Sequence, residues 1–188
     1  MADDDIFNQE PSIRWEQETL VVPMYVNQYG VPITNSAGQT FDPPIQVDVI
    51  IPILIITQNM ANFSIQEATA VTGAVSKDFY FGPPGTAQVV SRSAERAYKN
   101  GTDYWRVTTR IRFRQLDGNG DSAWGTYIID EGTMQLKGGE LVPIYINGER
   151  VTTPVGLNGK GVYSPTASII YIPPAKSANL GGLGLPSF

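Results

Sequence analysis

The sequence predicts a mainly β fold of the α+β class: an antiparallel sheet or barrel-like body with one short helix and an extended arm at each end. Three observations predict it. Nineteen glycines and 14 prolines favour many turns and short strands over long helices. Asn-Gly dipeptides lie between runs of strand-forming residues, where they predict hairpins. One stretch alone combines a helical cap with apolar residues at helical spacing.

Length and composition bound the organisation of the chain. With 188 residues, of which 41% are hydrophobic, it is long enough for one domain with a buried core. Residues 1–18 are polar and acidic, which predicts a flexible arm, or one that becomes ordered only against a partner. Residues 19–175 are predicted to form a single β-rich domain, and residues 176–188 a tail rich in glycine and leucine.

The first two strands are predicted on either side of a turn-rich segment. Residues 20–26 are the first strand, at a sheet edge, because Pro23 cannot donate a ladder hydrogen bond. Residues 35–44 combine turn residues with a Pro-Pro pair, which keeps the preceding Asp42 extended. Residues 45–57 are mostly apolar and β-branched, as expected for a strand covered on both faces.

One helix is predicted after the apolar strand. Ser64 and Glu67 have the spacing of a capping box, in which the serine hydroxyl accepts a hydrogen bond from the backbone three residues on. Apolar residues follow at helical spacing, and the helix is predicted to end near Lys77.

Hairpins account for most of the remaining chain. The clearest one joins residues 87–98 to residues 104–115 through Asn100-Gly101, and Asn147-Gly148 predicts a second turn of the same kind. The further predicted strands are residues 123–130, 134–136, 141–146, 150–155 and 167–172.

An arginine-rich face is predicted on the second strand of the clearest hairpin, because side chains alternate between the two faces of a strand. The turn at Asn100-Gly101 sets a register in which Glu95 lies opposite Arg106 and Ser91 opposite Arg110. Most of the arginines therefore have no partner within the hairpin. The residues of this arginine face are Arg106, Arg110, Arg112 and Arg114.

Two interpretations of the arginine face stay open. It is either a solvated sheet face kept soluble by its charge, or a basic stripe that contacts a neighbouring subunit or phosphates in a channel. The chain has a net charge of −5, so the second interpretation favours acidic patches of a protein neighbour over DNA. The four arginines are therefore candidate subunit-interface residues.

Large apolar side chains also occur in both terminal segments, on stretches with little predicted structure. Exposed in a monomer, they would promote association. They either fold back on the core of their own chain or insert into a groove of a neighbour, as locking extensions do in symmetric assemblies. These further candidate interface residues are Ile6, Phe7, Trp15, Leu180, Leu183, Leu185 and Phe188.

The sequence indicates no catalytic or metal site. It contains no His and no Cys, so the commonest general base and the thiol nucleophile are missing. The loop from Asp117 spaces its oxygens like a calcium loop but has Ser122 and Ile128 where that motif requires Gly and Glu. Residues 156–161 lack the spacing of a phosphate-binding loop, and the Asp130-Glu131 pair is expected to point to opposite strand faces. We expect no enzyme, no cofactor and no metal.

No membrane segment or leader is expected either. Residues 47–57 form the longest apolar run, which is too short to span a bilayer and is interrupted by Asp48 and Pro52. The acidic residues 1–5 are the reverse of the basic start of a signal peptide. We therefore expect a soluble protein, assembled inside the cell and without membrane contact.

Several phrases in a fixed order resemble a family of small proteins encoded among the virion-assembly genes of tailed bacteriophages. The first is NSAGQTFDPPIQVDV at residues 35–49. The resemblance runs from about residue 30 to the end of the chain and leaves out the first 29 residues. The other phrases lie at residues 57–63, 93–96, 104–108, 129–132, 153–161 and 183–185.

The resemblance implies a non-enzymatic structural virion protein of the neck, the head-to-tail connection between the capsid portal and the tail. Such a subunit is expected to form a homo-oligomeric ring, sixfold or twelvefold, that contacts the portal and other neck or tail proteins. It would meet DNA only where DNA passes near a channel. No motif separates adaptor, stopper and tail terminator. The alternative is a capsid decoration (cement) protein or a tail or baseplate component. The expected location is the virion, assembled in the host bacterial cytoplasm.

Overall fold

The computed structural model describes residues 6–27, 29 and 31–186, and its main element is a six-stranded sheet with the strand order β1-β2-β5-β4-β3-β15. Neighbouring strands of this sheet are antiparallel, except that β15 runs parallel to β3. The strands are β1 (Ser12–Met24), β2 (Ile45–Met60), β3 (Val75–Ser76), β4 (Ala87–Lys99), β5 (Thr102–Phe113), β6 (Thr126–Ile129), β7 (Glu131–Gly132), β8 (Met134–Lys137), β9 (Glu140–Pro143), β10 (Tyr145–Ile146), β11 (Glu149–Arg150), β12 (Val155–Asn158), β13 (Val162–Tyr163), β14 (Ile169–Ile172) and β15 (Ser177–Ala178).

The predicted fold class is confirmed, but the described sheet is open. Strands dominate, and within the described residues one α-helix, α1 (Ile65–Val71), is present. The six-stranded sheet has β1 and β15 at its edges and does not close into a barrel. The strands from β6 to β14 form four small two- and three-stranded sheets beside it.

Strand β1 begins at Ser12, so the prediction of a flexible arm up to residue 18 is wrong for residues 12–18. This strand pairs with β2 from Ser12 opposite Thr57 to Met24 opposite Ile45. It lies at the sheet edge, as predicted from Pro23. An edge strand with a solvated face tolerates polar residues at alternate positions, so its composition resembles that of a disordered segment. The predicted arm residues 1–5 lie outside the described residues.

Strand β2 is buried on both faces only at residues 53–56, so the prediction of a strand covered on both faces over residues 45–57 is wrong for its first part, which is largely exposed. Leu54 and Ile56 point into the main core, and Ile53 and Ile55 are buried on the opposite face. On that face the arginines of β5 lie directly across from the two isoleucines in the pairing register. Long arginine stems can cover apolar surface while their charged ends stay in water.

The helix begins as predicted and ends earlier. Ser64 is its N-cap, and its hydroxyl accepts from the backbone N–H of Glu67 at 3.2 Å. The helix ends at Val71 rather than near Lys77, because Gly73 takes a φ of +81° that turns the chain back toward the sheet. Gly73 N then donates to the carbonyl of Val89 in β4, at 2.8 Å.

The predicted hairpins are confirmed at their turns. β4 and β5 are joined by Asn100 and Gly101, whose φ angles of 50° and 82° suit the tight turn that Asn-Gly favours. Asn147-Gly148 likewise joins β10 to β11. Residues 141–146 do not form one strand, since β9 pairs instead with β8 around the glycines at 138 and 139.

The main core lies on one face of the large sheet, between the sheet, α1 and the C-terminal segment. Ile13 of β1 and Leu183 pack against its margin. The core therefore closes only when residues from both ends of the chain are in place. Its buried members are Leu54, Ile56, Val71, Tyr80, Ala87, Val89, Ile111, Phe113, Leu180 and Leu185.

Candidate functional site

The arginine face has the geometry that the sequence predicted. Val107, Thr109 and Ile111 of β5 are buried, whereas the alternating arginines lie on the other face. The register also agrees, with Glu95 opposite Arg106 and Ser91 opposite Arg110. A bulge between Val89 and Ser91 shifts the pairing only beyond that point.

Arg112 and Arg114 are hydrogen-bonded within the chain, and of these two only Arg112 bonds to a residue of the hairpin, which agrees with the expectation that most of the row has no partner there. Arg112 donates from Nε and Nη2 to Gln88 Oε1 at 2.9 and 2.8 Å. Arg114 donates from Nη1 to the carbonyl of Ala123. Both guanidinium groups lie over the Trp124 ring, at 4.8 and 5.4 Å from its centre. These contacts hold the loop that precedes β6 against the sheet, and because the partners are uncharged, both arginines keep their positive charge.

Trp124 also holds the loop that precedes β6 against the sheet through a hydrogen bond of its own. The surroundings of Arg114 in addition shift the pKa of its guanidinium group. The indole Nε1 donates to the carbonyl of Thr86 at 2.9 Å. Burial, and then the positive charge of Arg112, lower the pKa of Arg114 from its ordinary value. The attachment between sheet and loop therefore depends on stacking and hydrogen bonds to carbonyl oxygens.

The other two arginines remain at the surface. Arg110 Nη2 lies 3.6 Å from Glu16 Oε2, and Glu16 Oε1 lies 3.1 Å from Arg14 Nη2. Such exposed pairs typically contribute less than about 1 kcal/mol. Arg106 is exposed and forms no ion pair within the described part of the chain. Arg106 and Arg110 are thus surface members of the row that lie away from Trp124.

The C-terminal segment folds back onto its own core, one of the two alternatives that the sequence left open. Leu180 and Leu185 are buried there, and Leu183 packs against the margin. The two leucines are therefore covered and do not form a free subunit surface. Phe188 lies outside the described residues.

Three side chains from the sheet side hold this C-terminal segment by its backbone. Asp78 accepts from the N–H groups of Leu180 and Gly181, both at 2.9 Å. Arg92 donates to the carbonyl of Leu183 at 3.2 Å, and Gln58 to that of Gly184 at 3.1 Å. Polar contacts at both ends thus fix the segment whose leucines fill the core.

The environment of Asp78 and Tyr80 shifts the acidity of both groups. Burial alone would raise the pKa of Asp78, but the backbone N–H groups that it accepts from outweigh this and leave the pKa below its ordinary value of 3.8. Burial, and then the negative charge of Asp78, raise the pKa of Tyr80 to about 12. The Tyr80 hydroxyl is buried without a hydrogen-bond partner in the described residues.

Of the three candidate interface residues near the N-terminus, one is buried and two are exposed. Ile6 is buried, and Asn59 Nδ2 donates to its carbonyl at 3.0 Å. Phe7 is exposed. Trp15 is half exposed, and its ring contacts Phe81 and Phe113 at centroid distances of 5.8 and 5.6 Å. Ile6 therefore anchors the chain, whereas Phe7 and Trp15 keep part of their surface exposed.

The motifs that resembled ligand sites form turns. Asp117 Oδ1 accepts from the backbone N–H groups of Asn119 and Asp121, both at 2.9 Å, and Oδ2 bonds the Tyr127 hydroxyl. Asn158 Oδ1 accepts from the backbone at Lys160 and Val162. Among the described residues, no group of three or more acidic side chains is placed to hold a metal ion.

A groove that was not predicted lies beside Trp15, where β2 extends past the end of β5. It has a volume of about 590 Å³, and Arg114 is its one charged lining residue among those described. The aromatic run at residues 79–81 beside a Gly-Pro-Pro sequence was its signal in the sequence. We call this the apolar groove, after its principal lining residues Ile50, Pro52, Phe81, Pro83, Phe113 and Arg114.

The second exposed surface is the connection between the first two strands, which we call the β1–β2 loop (residues 25–44). Bridges join Val26 to Pro32 and Thr34 to Thr40, and residues 28 and 30 lie outside the described residues. Asn35 Oδ1 accepts from the backbone at Ala37 and Gln39, which makes the predicted turn. Most of its described residues are exposed.

Comparison with known proteins adds no relative: no family model, no curated protein and no solved structure matches this chain. In the described part of the chain, no helix has the length and apolar character needed to cross a membrane.

Proposed function

We propose that the chain is a ring-forming neck subunit in the virion of a tailed bacteriophage, an adaptor, stopper or tail terminator that acts through protein–protein contacts and not by catalysis. The ordered series of phrases from about residue 30 onward, which resembles that family, is the observation that carries the proposal. Its partners would be further copies of itself, the portal and other neck or tail proteins.

The surface of the fold supports a role in assembly. Large apolar side chains are exposed at separate places, including Tyr29 in the β1–β2 loop, Ile50 in the apolar groove and Ile65 in α1. Apolar patches on a soluble domain commonly mark binding surfaces for other proteins. Surface arginines at 106 and 110 add positively charged positions to a chain with a net charge of −5. A subunit that contacts several neighbours needs such separate surfaces.

The absence of His and Cys from the sequence supports a role without chemistry, because it leaves few side chains that titrate near neutral pH. Two carboxylates, those of Asp78 and Asp117, each accept two hydrogen bonds from backbone N–H groups of their own chain. These groups stabilise turns and the C-terminal segment.

Immunogold labelling of particles assembled from the genome that encodes the chain tests this proposal. A neck subunit should label one point per particle, between the head and the tail. Label spread over the shell would instead identify a decoration protein, and label at the far end of the tail a baseplate component. Absence of the chain from purified particles would refute a virion role altogether.

A further inference from the structure

We propose that two copies of this chain join head to tail, with the β1–β2 loop of one copy seated in the apolar groove of the next. The inference rests on the proposed function in one respect, since it names the surfaces through which ring subunits meet. It is derived from four features of the fold: an unpaired strand edge, the apolar character of both surfaces, their charges, and their positions on the chain.

The groove exposes a strand edge that an incoming chain can use. Strand β2 pairs with β1 from Ile45 onward, but its pairing with β5 starts only at Ile53. Residues 45–52 thus have a neighbour on one side, and no described strand or backbone hydrogen bond occupies the other. Such an edge presents unpaired N–H and C=O groups to an extended segment of another chain.

The walls of the groove are apolar and face solvent. Ile50 is 68% exposed on a strand whose residues 53–56 are buried. Phe81 is partly exposed and packs edge-on against Trp15 and Phe113, which gives the groove a rigid aromatic side. Covering these side chains would remove apolar surface from water, the main favourable contribution to protein association.

The β1–β2 loop has the matching properties. Tyr29 and Val31 are 74% and 54% exposed, and Phe41 is also exposed. The loop has about twenty residues, close to the number that each partner contributes to a standard interface. Its one charged residue is Asp42, whereas the one charged lining residue of the groove is Arg114. The two surfaces therefore match in apolar character and are opposite in charge.

The position of the two surfaces on the chain determines the kind of assembly. The loop and the groove are different parts of one molecule, so a contact between them is heterologous: each copy uses its loop on one side and its groove on the other. Repeated contacts of this kind close into a ring when the rotation between copies allows it. The inferred contact thus gives the proposed ring its subunit interface.

Complementation between two variants tests this contact. The loop variant Tyr29→Asp/Val31→Asp and the groove variant Ile50→Asp each destroy one surface and retain the other. We expect each alone to need at least tenfold higher concentration than the wild type to assemble, as measured by sedimentation velocity. Mixed in equal amounts, they should form a 1:1 heterodimer through the remaining intact loop and intact groove.

A matched control and a second measurement guard against misfolding. Leu141→Asp changes a side chain as exposed as Ile50, at 68%, but outside both surfaces, and should assemble like the wild type. Because the chain contains no Cys, cysteines introduced by Tyr29→Cys and Ile50→Cys in one chain can be cross-linked by a short bismaleimide. A ladder of covalent oligomers is expected, whereas Leu141→Cys combined with Ile50→Cys should give none.

Three results would overturn the inference: assembly of the loop variant at wild-type concentrations, a folded mixture that stays monomeric, or a wild-type chain that remains monomeric at all concentrations. The proposed function is judged separately by labelling. Label at the neck with normally assembling variants would refute the loop–groove contact alone. Label elsewhere, with complementation observed, would refute the neck role and keep the contact.

Discussion

Replacing Leu180 by Ala tests whether the C-terminal segment belongs to the core of its own chain. Leu180 is fully buried at 0% exposure, among core residues that include Val71 and Tyr80. Truncating a buried leucine costs about 2–5 kcal/mol, with the larger values where the surroundings cannot collapse into the cavity. Asp78 fixes the backbone at Leu180 and restricts such a collapse. We therefore expect a loss of about 3 kcal/mol in the free energy of unfolding.

The segment can also detach, and this limits the loss. Leu185 is the second buried anchor, and fully burying a leucine contributes about 1.5–3 kcal/mol. Once Leu180→Ala has weakened the segment, part of the population should lose the Leu185 contact as well. The double variant Leu180→Ala/Leu185→Ala is therefore expected to cost less than the sum of the single variants.

Urea denaturation followed by tryptophan fluorescence measures both effects, at a concentration where the wild type is monomeric. The control is Leu141→Ala, an exposed leucine whose truncation should change the free energy of unfolding by less than about 0.5 kcal/mol. A loss below about 1 kcal/mol for Leu180→Ala would refute the packing argument. Loss of assembly with an unchanged monomer would instead place the segment in a neighbouring subunit.

Three further predictions concern charge and burial. Asp78→Asn should destabilise the monomer by about 1 kcal/mol at neutral pH, as loss of a capping side chain does. Because the folded pKa of Asp78 lies below 3.8, this difference should close as the pH falls through that folded pKa, and a difference that persists in acid would contradict the assignment. Tyr80, with a folded pKa of about 12 against an ordinary 10.0, should reduce stability as the pH rises through this interval. Tyr80→Phe should abolish that alkaline loss and be neutral or stabilising at pH 7, since it removes a buried hydroxyl without a partner; a clear loss at pH 7 would show that the hydroxyl is bonded. Arg112→Ser should lower the free energy of unfolding of the monomer by about 1–3 kcal/mol, because Arg112 is hydrogen-bonded and stacked. Arg106→Ser should leave the monomer folded. If Arg106 contacts a neighbouring subunit, this variant should also weaken assembly in a salt-dependent way. Equal unfolding midpoints for Arg112→Ser and Arg106→Ser would refute the distinction between them.

The local pattern predicted most features that depend on neighbouring residues. The turn at Asn100-Gly101 set the register of the main hairpin correctly down to Ser91 opposite Arg110, because a two-residue turn fixes every pair that follows. The Ser64 cap was correct because it involves residues three positions apart. The end of the helix was predicted too late, since Gly73 and its bond to Val89 in β4 end it.

The features that the sequence did not predict depend on contacts between distant segments. Residues 12–18 have the polar composition of a disordered arm, and it is their pairing with β2 that makes them a strand. The same holds for the arginine face: the side on which the four residues lie followed from alternation, but the engagement of Arg112 and Arg114 depends on Trp124, which another loop places over them. The apolar groove was not predicted because it forms where β2 extends beyond the end of β5, and the sequence does not show which strands pair or over what length.

By itself, the sequence determined that this protein is mainly β, where its main hairpins turn, and that it contains no His or Cys side chain. Only the tertiary structure decided which exposed and apolar residues are available to a neighbour. Leu180 and Leu185 are covered, whereas Ile50 and Tyr29 are not. The reason is physical: strand pattern and turn type are set by interactions a few residues apart, but burial depends on which distant segments fill the same space.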